Sequence, residues 1–262
     1  MKTNLRIMVM TQNDDFFIPH NIKKLMDMSD VIDVVEIDCK SSLSNKLHDY
    51  YEWFGFIQCA KMGYKKIYRT LQRIIDRKRN YKYLAGECSV YDIAKANNVH
   101  YMKITNSNSE EYIDYVTSRN PDLIVSYSAP QVIKEKLLSI PKYGIINVHG
   151  SLLPNYRGLL PSFWYLYNDE KIGGATVHYM SEKIDDGDII VQETVDISEC
   201  KSMFQVMMKT KKLGGELIVK AVEQIANGTV QSRKNIVSQG SYFTWPTKED
   251  GKKFRKKGYR LY

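Results

Sequence analysis

Residues 143–158 read Tyr143-Gly-Ile-Ile-Asn147-Val-His149-Gly-Ser151-Leu-Leu-Pro154-Asn-Tyr-Arg157-Gly158, an apolar run that ends in polar side chains and a loop. The apolar run is typical of a buried strand. Asn147 and His149 are two residues apart, so they project from the same face of that strand. Open parallel sheets bind ligands at the carboxyl ends of their strands. The sequence therefore predicts a functional site where this strand ends.

The pattern outside this stretch predicts the rest of the sheet. A strand at 5–10, a helix at 18–28 and a strand at 31–37 repeat the order typical of a parallel α/β sheet. Further strands are predicted at 99–104, 121–127, 175–180 and 189–195, and further helices at 90–97, 109–119, 131–139 and 203–227. We expect a Rossmann-like open, mostly parallel twisted sheet flanked by helices. The first strand is not followed by a GxGxxG or P-loop motif, so no phosphate cradle is predicted there.

Two segments lie outside this regular pattern. Residues 44–82 are aromatic and basic, and Ile67, Leu71, Ile74 and Ile75 follow helical spacing. We interpret them as a helical insertion with an apolar stripe in the core and a solvated basic face, and contact with nucleic acid is the alternative. Residues 229–262 form a basic, Tyr-rich tail. The expected division is a catalytic domain at 1–228 followed by this tail.

A second polar cluster follows downstream as Ile184-Asp185-Asp186-Gly187-Asp188, in the turn of a predicted hairpin. Asn147, His149 and Asp185 together could move protons and stabilise a developing oxyanion. Asp186 and Asp188 are assigned to the turn. His178 is predicted to be structural because it lies inside a strand.

Composition narrows the class of protein. The 262 residues carry a formal net charge of +8, which favours an anionic partner. The four cysteines are scattered, so we expect free thiols in a reducing compartment and no metal site. No apolar run approaches the ~20 residues of a membrane span, and the N-terminus shows no cleavage site. We expect a cytoplasmic enzyme with no membrane partner.

Residues 144–192 resemble the formyltransferases that use 10-formyltetrahydrofolate, a family that acts on glycinamide ribonucleotide, methionyl-tRNA or nucleotide-linked amino sugars. The resemblance rests on Asn147-x-His149, the Ser-Leu-Leu-Pro-x-Tyr-Arg-Gly loop, Gly-x-Thr-x-His at 174–178 and the Asp185 turn. It implies the formyltransferase fold, 10-formyltetrahydrofolate as formyl donor, and no metal.

The resemblance also implies roles for individual residues. Asn147, His149 and Asp185 match the catalytic trio. Asn147 is the amide donor to the formyl oxygen, and His149 donates to that oxygen or takes a proton from the amine. Asp185 orients His149, stabilises its charged form, or positions a water that relays the proton. Residues expected at the cofactor are Tyr127, Ser151, Leu153 and Pro154. Apart from the resemblance, Arg157 is expected either to meet an anionic substrate or to fold the loop. From composition, Trp164, Tyr165 or tyrosines of the tail are expected to stack on a base of the substrate.

The run from His149 to Trp164 looks most like the formyltransferases of nucleotide-linked amino sugars, so we expect a small-molecule acceptor of that class. An atypically short methionyl-tRNA formyltransferase is the alternative, because 77 residues after Asp185 leave no room for the usual C-terminal domain. A non-catalytic folate- or nucleotide-binding relative and an RNA-binding module are further alternatives. Nucleic acid is not favoured as a partner, and a homodimer is an open expectation.

Overall fold

The computed structural model describes residues 3–14, 16–38, 43–81 and 89–262. The strands are β1 (Arg6–Thr11), β2 (Asp30–Ile37), β3 (His100–Ile104), β4 (Leu123–Tyr127), β5 (Ile145–His149), β6 (Arg157–Gly158), β7 (Ile172–Tyr179), β8 (Ile189–Asp196) and β9 (Tyr242–Phe243). The helices are α1 (Ile18–Met28), α2 (Leu43–Phe54), α3 (Phe56–Lys78), α4 (Val90–Ala96), α5 (Glu110–Arg119), α6 (Glu135–Leu138), α7 (Pro161–Tyr167), α8 (Met203–Ala226) and α9 (Lys248–Lys256), with a 3₁₀ turn at Val237–Gln239.

Seven strands form one sheet in the order β3-β2-β1-β4-β5-β7-β8. The first five are parallel, whereas β7 and β8 are antiparallel to their neighbours. The strand order reverses between β1 and β4, which is the position where such sheets form a ligand crevice. The expectation of a mostly parallel open sheet flanked by helices is confirmed, and the predicted hairpin is β7 and β8.

The central strands are buried on both faces, which explains their nearly continuous apolar sequence. One core lies between the sheet and the face formed by α1, α4 and α8, and includes Ile22, Val125 and Leu217. A second core covers the opposite face and includes Tyr112 and Ile133. The sheet is therefore fixed from both sides, and only the strand ends are open to ligands.

The C-terminal residues pack onto the domain that precedes them. Strand β9 pairs in parallel with β6, and the ring of Phe254 on α9 stacks on Phe163 of α7 at 4.4 Å between centroids. Trp53 and Phe54 of α2 complete this third core. The tail thus holds the 150–158 loop in place through β6.

The expectation that residues 44–82 are helical is confirmed where they are described, but the interpretation of their apolar stripe on α3 as buried is wrong. Two helices form there, but Ile67 and Leu71 of α3 are 64% and 55% exposed. The buried position on α3 is Asp76. Lys82, at the end of the predicted insertion, lies outside the described residues.

Two of the four cysteines are described, and both are free: Cys59 on α3 and the buried Cys200. Cys39 and Cys88 lie outside the described residues. Within the described ranges, no helix is long and apolar enough to cross a membrane.

Helix α8 begins with a capping box. Ser202 Oγ accepts a hydrogen bond from the backbone N–H of Gln205 at 3.2 Å, and Gln205 Oε1 accepts one from the N–H of Ser202 at 3.0 Å. We expect Ser202→Ala to lower the free energy of unfolding by about 1 kcal/mol, because helix N–H groups lose their partner. Urea denaturation followed by circular dichroism measures this. Ser118→Ala, an exposed serine within α5, is the control and should change stability by less than about 0.5 kcal/mol; equal losses in both variants would contradict the capping role.

Candidate active site

The predicted trio lies together where β5 ends. Asn147 and His149 lie two positions apart on β5, so their side chains project from the same face of the sheet. Asp185 belongs to the turn that leads into β8. A Cβ on Gly187 would lie 1.9 Å from the carbonyl oxygen of Tyr179, so only glycine lets this turn approach β7 so closely. The glycine thereby sets the position of the carboxylate two residues before it.

Asp185 is the centre of the cluster. Its Oδ2 lies 3.5 Å from Nδ1 of His149, and its Oδ1 lies 3.7 Å from Nε2 of His178. The backbone N–H of Gly158 donates to Oδ2 at 2.8 Å. Asp185 has a left-handed backbone (φ 50°), which aspartate tolerates, and its own carbonyl accepts from Asn235 Nδ2 at 2.9 Å. The 150–158 loop thus holds the carboxylate of Asp185, and the C-terminal segment holds its backbone.

His149 has an orientation fixed by its backbone partner. Its Nε2 lies 2.8 Å from the carbonyl oxygen of Tyr156, so this nitrogen carries the proton and donates. In the neutral ring, Nδ1 is then the unprotonated nitrogen, and it faces Asp185. A buried imidazole with a free nitrogen beside a carboxylate can accept a proton and remain stabilised as a cation.

His178 orients Asn147. Its Nδ1 donates to the carbonyl of Tyr179 at 2.8 Å, which leaves Nε2 as an acceptor 3.3 Å from Asn147 Nδ2. Burial lowers the pKa of His178, while the nearby Asp185 acts in the opposite direction, and the ring is therefore neutral at neutral pH. Asn147 gives one amide hydrogen to this acceptor and keeps the other for a ligand.

His178, expected to be structural because it lies inside a strand, also contacts the cluster through Asn147 and Asp185. The signal is the cross-strand register, in which Asn147 pairs with His178 and His149 pairs with Thr176. This register cannot be read from the sequence, because β7 follows β5 only after a loop and a helix. The histidine in Gly-x-Thr-x-His is therefore in contact with the predicted trio.

The loop residues expected at the cofactor mainly hold the loop itself. Ser151 Oγ donates to the carbonyl of Asn155 at 2.8 Å, and the Leu153 carbonyl accepts from Gln192 Nε2 at 2.8 Å. Ser151 and Leu153 are buried, whereas Pro154 is half-buried. Their contacts shape the backbone beside Asp185, and a role of Pro154 at the cofactor stays a prediction.

Tyr127 and Trp164 are core residues, and the burial of Trp164 corrects the expectation that its ring stacks on a base, whereas the place of Tyr127 at the cofactor stays a prediction. Tyr127 is 1% exposed, and its hydroxyl donates to the carbonyl of Asn21 at 3.4 Å. Trp164 is 7% exposed, stacks on Phe243 at 4.7 Å and donates through Nε1 to the carbonyl of Thr244. Trp164 therefore has no free face for a base, and Tyr127 offers a ligand its backbone alone.

Arg157 lies next to the cluster with an exposed aromatic neighbour. Its guanidinium lies over the ring of Tyr242 at 5.7 Å, and Tyr242 is 47% exposed. Among the residues that the structure describes, the buried Nε of Arg157 has no hydrogen-bond partner. The next residue is Gly158, whose N–H contacts Asp185. A cation and an aromatic ring thus border the candidate active site.

Lys211 is a polar residue of this crevice that the sequence analysis missed. It lies on α8, and its Nζ donates to Ser128 Oγ at 2.7 Å, just beyond the carboxyl end of β4. Burial lowers the pKa of its ammonium group, with Asp14 acting in the opposite direction. The sequence gives no local signal for it, because Lys211 belongs to a long amphipathic helix and meets Ser128 only in the folded chain.

No group of three or more His, Cys, Asp or Glu side chains could hold a metal ion within the ranges that the structure describes. The polar groups that the structure places in and around the candidate active site are amide, imidazole, carboxylate, guanidinium and ammonium groups.

Comparison with known proteins gives one family. A family model described as formyl transferase matches residues 75–222, more than half of the chain. Methionyl-tRNA formyltransferase of Clostridioides difficile is 34% identical over 173 residues, 60% of this chain and 55% of that protein. The same enzyme of Halothermothrix orenii is 32% identical over 197 residues, 72% of this chain and 62% of that protein. The chain spans about half the length of the curated relatives it matches.

Solved structures share the fold. Glycinamide ribonucleotide transformylase 1 from Symbiobacterium toebii has a TM-score of 0.61 at 16% identity and covers 86% of this chain and 89% of that chain. A sugar N-formyltransferase from a Shewanella species has a TM-score of 0.57 at 18% identity and covers 92% of this chain and 76% of that chain. At these identities the likeness concerns the fold alone.

Proposed function

Because the chain belongs to the formyl transferase family, we propose that it transfers a formyl group from 10-formyltetrahydrofolate to the amino group of a nucleotide-linked amino sugar. The observation that carries this proposal is the convergence of Asn147, His149 and Asp185 at the carboxyl end of β5. Amide, imidazole and carboxylate groups are what acyl transfer to an amine requires: a donor to the oxygen and a base for the proton.

The described residues fit a folate donor beside this cluster. Ser126 pairs with Asn147 in the β4–β5 register, and its fully buried hydroxyl has no hydrogen-bond partner among the described residues. The loops after β4 and before β8 meet where the N–H of Glu135 donates to Glu182. Val132 and Ile184 on these loops are half-exposed and would supply apolar walls for the donor's rings.

The donor supplies a formyl carbon that an amine can attack. Asn147, oriented by His178, directs its second amide hydrogen at the oxygen on which negative charge develops. Nδ1 of His149 accepts the proton that the attacking amine loses, and the same nitrogen returns it to the departing nitrogen of the donor. Asp185 faces both imidazoles and stabilises the positive charge that His149 acquires.

The acceptor assignment rests on the charges and rings around the cluster. Lys211 and Arg157 offer cations at two borders of the crevice, and Tyr242 offers an exposed ring. A nucleoside diphosphate presents anionic oxygens and a base, which these groups recognise. The sugar N-formyltransferase from Shewanella shares the fold of this chain, so the fold is compatible with a sugar acceptor.

A second candidate acceptor is methionyl-tRNA. The observation that favours it is the 34% identity with methionyl-tRNA formyltransferase of Clostridioides difficile, although the chain spans 55% of that protein. The basic surface that residues 44–82 could offer to tRNA is smaller than their sequence suggests. Several cations of this segment contact other parts of this chain instead. Lys65 lies over Tyr262 at 4.1 Å, and Arg77 contacts Asp92 at 2.6 Å.

A panel assay separates the two acceptors. The protein is incubated with 10-formyltetrahydrofolate and either nucleotide-linked amino sugars, free amino sugars or charged initiator tRNA, and product mass is recorded with tetrahydrofolate release. The proposal expects a formylated product from at least one nucleotide-linked sugar and from neither other class. Formylation of the tRNA with no turnover on any sugar would overturn it.

Lys211→Met is expected to raise KM for the nucleotide-linked sugar by about 10–100-fold with little change in kcat, because a charge-assisted hydrogen bond to the diphosphate is lost. Initial-rate kinetics measure the change, and competition by the free nucleoside diphosphate should weaken in parallel. Lys212→Met removes an exposed charge from the next residue and serves as the matched control. An unchanged KM in Lys211→Met would rule out this contact.

A further inference from the structure

Helix α3 turns its apolar side chains away from the domain on which it lies. Eight large apolar residues are between 41% and 74% exposed: Phe56, Ile57, Tyr64, Ile67, Tyr68, Leu71, Ile74 and Ile75. With 3.6 residues per turn they fall within an arc of roughly 120°, over about 20 residues of helix. Soluble monomers rarely expose a continuous apolar surface of this kind. We call these eight residues the α3 face.

The polar side of α3 contacts the domain instead. Arg69 lies over the ring of Phe16 at 5.4 Å, Lys65 lies over Phe204 at 4.8 Å, and Arg77 pairs with Asp92. The α3 face therefore cannot turn inward without losing these contacts. A partner outside the domain is required to bury it.

We propose that the α3 face is the interface of a homodimer, in which α3 packs antiparallel against α3 of a second copy. The exposed parts of the eight side chains add up to roughly 800 Å², given about 150–250 Å² for a large side chain. A stable interface buries about 800 Å² on each partner. The α3 face is thus large enough to hold two copies together.

The residues that border the α3 face suit an antiparallel pair. Lys61 and Gln72 lie along one border, and Gly63 and Thr70 lie along the other. A two-fold axis between residues 66 and 67 places Lys61 opposite the second copy's Gln72 and Gly63 opposite its Thr70. Neither border then brings two cations together, although α3 is strongly basic. Ile67 lies at the centre of the interface.

A membrane surface fits the same helix less well. Amphipathic helices that bind anionic lipid use lysine and arginine side chains beside the apolar face to reach the headgroups. Lys65, Arg69 and Arg77 of α3 contact their own domain instead, on the side of the helix away from the α3 face. The observations therefore favour a second copy of this chain.

Sedimentation velocity across about 1–100 µM protein tests the dimer through mass action. The unmodified protein should sediment with twice the 30.5 kDa chain mass. The double variant Ile67→Glu/Leu71→Glu should be monomeric, with a dissociation constant raised at least about 100-fold, because charges are buried at the centre. Met208→Glu, on the exposed side of α8, places the same charge on a half-exposed apolar residue outside α3 and should remain dimeric.

Circular dichroism shows whether the double variant keeps its helical structure. If it does not, disulfide cross-linking of a variant with one cysteine introduced at the centre of the α3 face tests the dimer independently. Ile67→Cys should form a 67–67 disulfide under mild oxidation, identified by peptide mass spectrometry, whereas Met208→Cys should form none between its positions. An unmodified protein that is monomeric at about 100 µM would overturn the proposal. So would an unmodified monomer that floats with phosphatidylserine vesicles, or a dimer that survives the double substitution.

Discussion

Replacing His149 with alanine is expected to lower kcat/KM for formyl transfer by about 10²–10⁴-fold, the usual contribution of a general acid–base group. His149 is the residue whose free Nδ1 faces Asp185, while its Nε2 is committed to the Tyr156 carbonyl. Without the imidazole, the proton of the attacking amine has no acceptor at this position. Stopped assays of tetrahydrofolate release and product mass measure the loss.

The matched control is His20→Ala, which removes an exposed histidine of α1. It should retain activity within about threefold, since substitutions of exposed residues outside the core and the candidate active site have small effects. Far-UV circular dichroism of both variants establishes that the fold is kept. A loss of less than about tenfold in His149→Ala would remove this residue from the proposed mechanism.

Asn147→Ala is expected to lower kcat by about 10²–10³-fold with little change in KM, as for loss of an oxyanion donor. The reason is the arrangement around its amide: neutral His178 accepts one hydrogen at 3.3 Å, and in the proposed mechanism Asn147 donates the second to the oxygen of the formyl group. That hydrogen bond strengthens as charge develops on the oxygen, so its loss affects the rate more than substrate binding. Steady-state kinetics for both substrates separate kcat from KM.

Asn155→Ala provides the comparison, because Asn155 is an exposed asparagine in the neighbouring loop. We expect it to leave kcat within about threefold of the unmodified enzyme. If Asn147→Ala raised KM while kcat stayed constant, Asn147 would bind substrate uniformly and would not act on the developing charge.

Much of the fold follows from local patterns. Strands β1, β4 and β5 were predictable because helices cover both faces of the sheet, which requires nearly continuous apolar residues. The ends of these three strands moved by no more than two residues; β4, for example, begins at Leu123. Membership of the formyltransferase family was also predicted from residues 144–192, and the family match over residues 75–222 confirms it.

The parts of the site that depend on chain packing were not predictable. Asn147 and His149 share a strand face by alternation alone, but the place of His178 beside Asn147 depends on the register between β5 and β7. Lys211 reaches Ser128 from a helix more than eighty positions along the chain. Trp164 is a residue type that commonly stacks on nucleotide bases. Only the folded chain shows that its ring already stacks on Phe243.

Helix α3 shows why hydrophobic periodicity gives a helix but not its orientation. The spacing of Ile67, Leu71, Ile74 and Ile75 correctly predicted a helical segment, yet the side that faces the domain is the basic one. Cation–π contacts and the Arg77–Asp92 pair fix that side. An apolar stripe predicts burial, and in this chain the proposed partner is another copy rather than the domain's own core.

Transfer of labelled formyl carbon tests the proposed reaction most directly. The donor is 10-formyltetrahydrofolate with ¹³C in the formyl group, the acceptor is a nucleotide-linked amino sugar, and NMR follows the label in the unmodified enzyme and in His149→Ala. We expect the label to appear as a sugar formamide in equal amount to the tetrahydrofolate released, and both to fall together in the variant. Release of labelled formate without a formamide, or equal transfer by the variant, would contradict it.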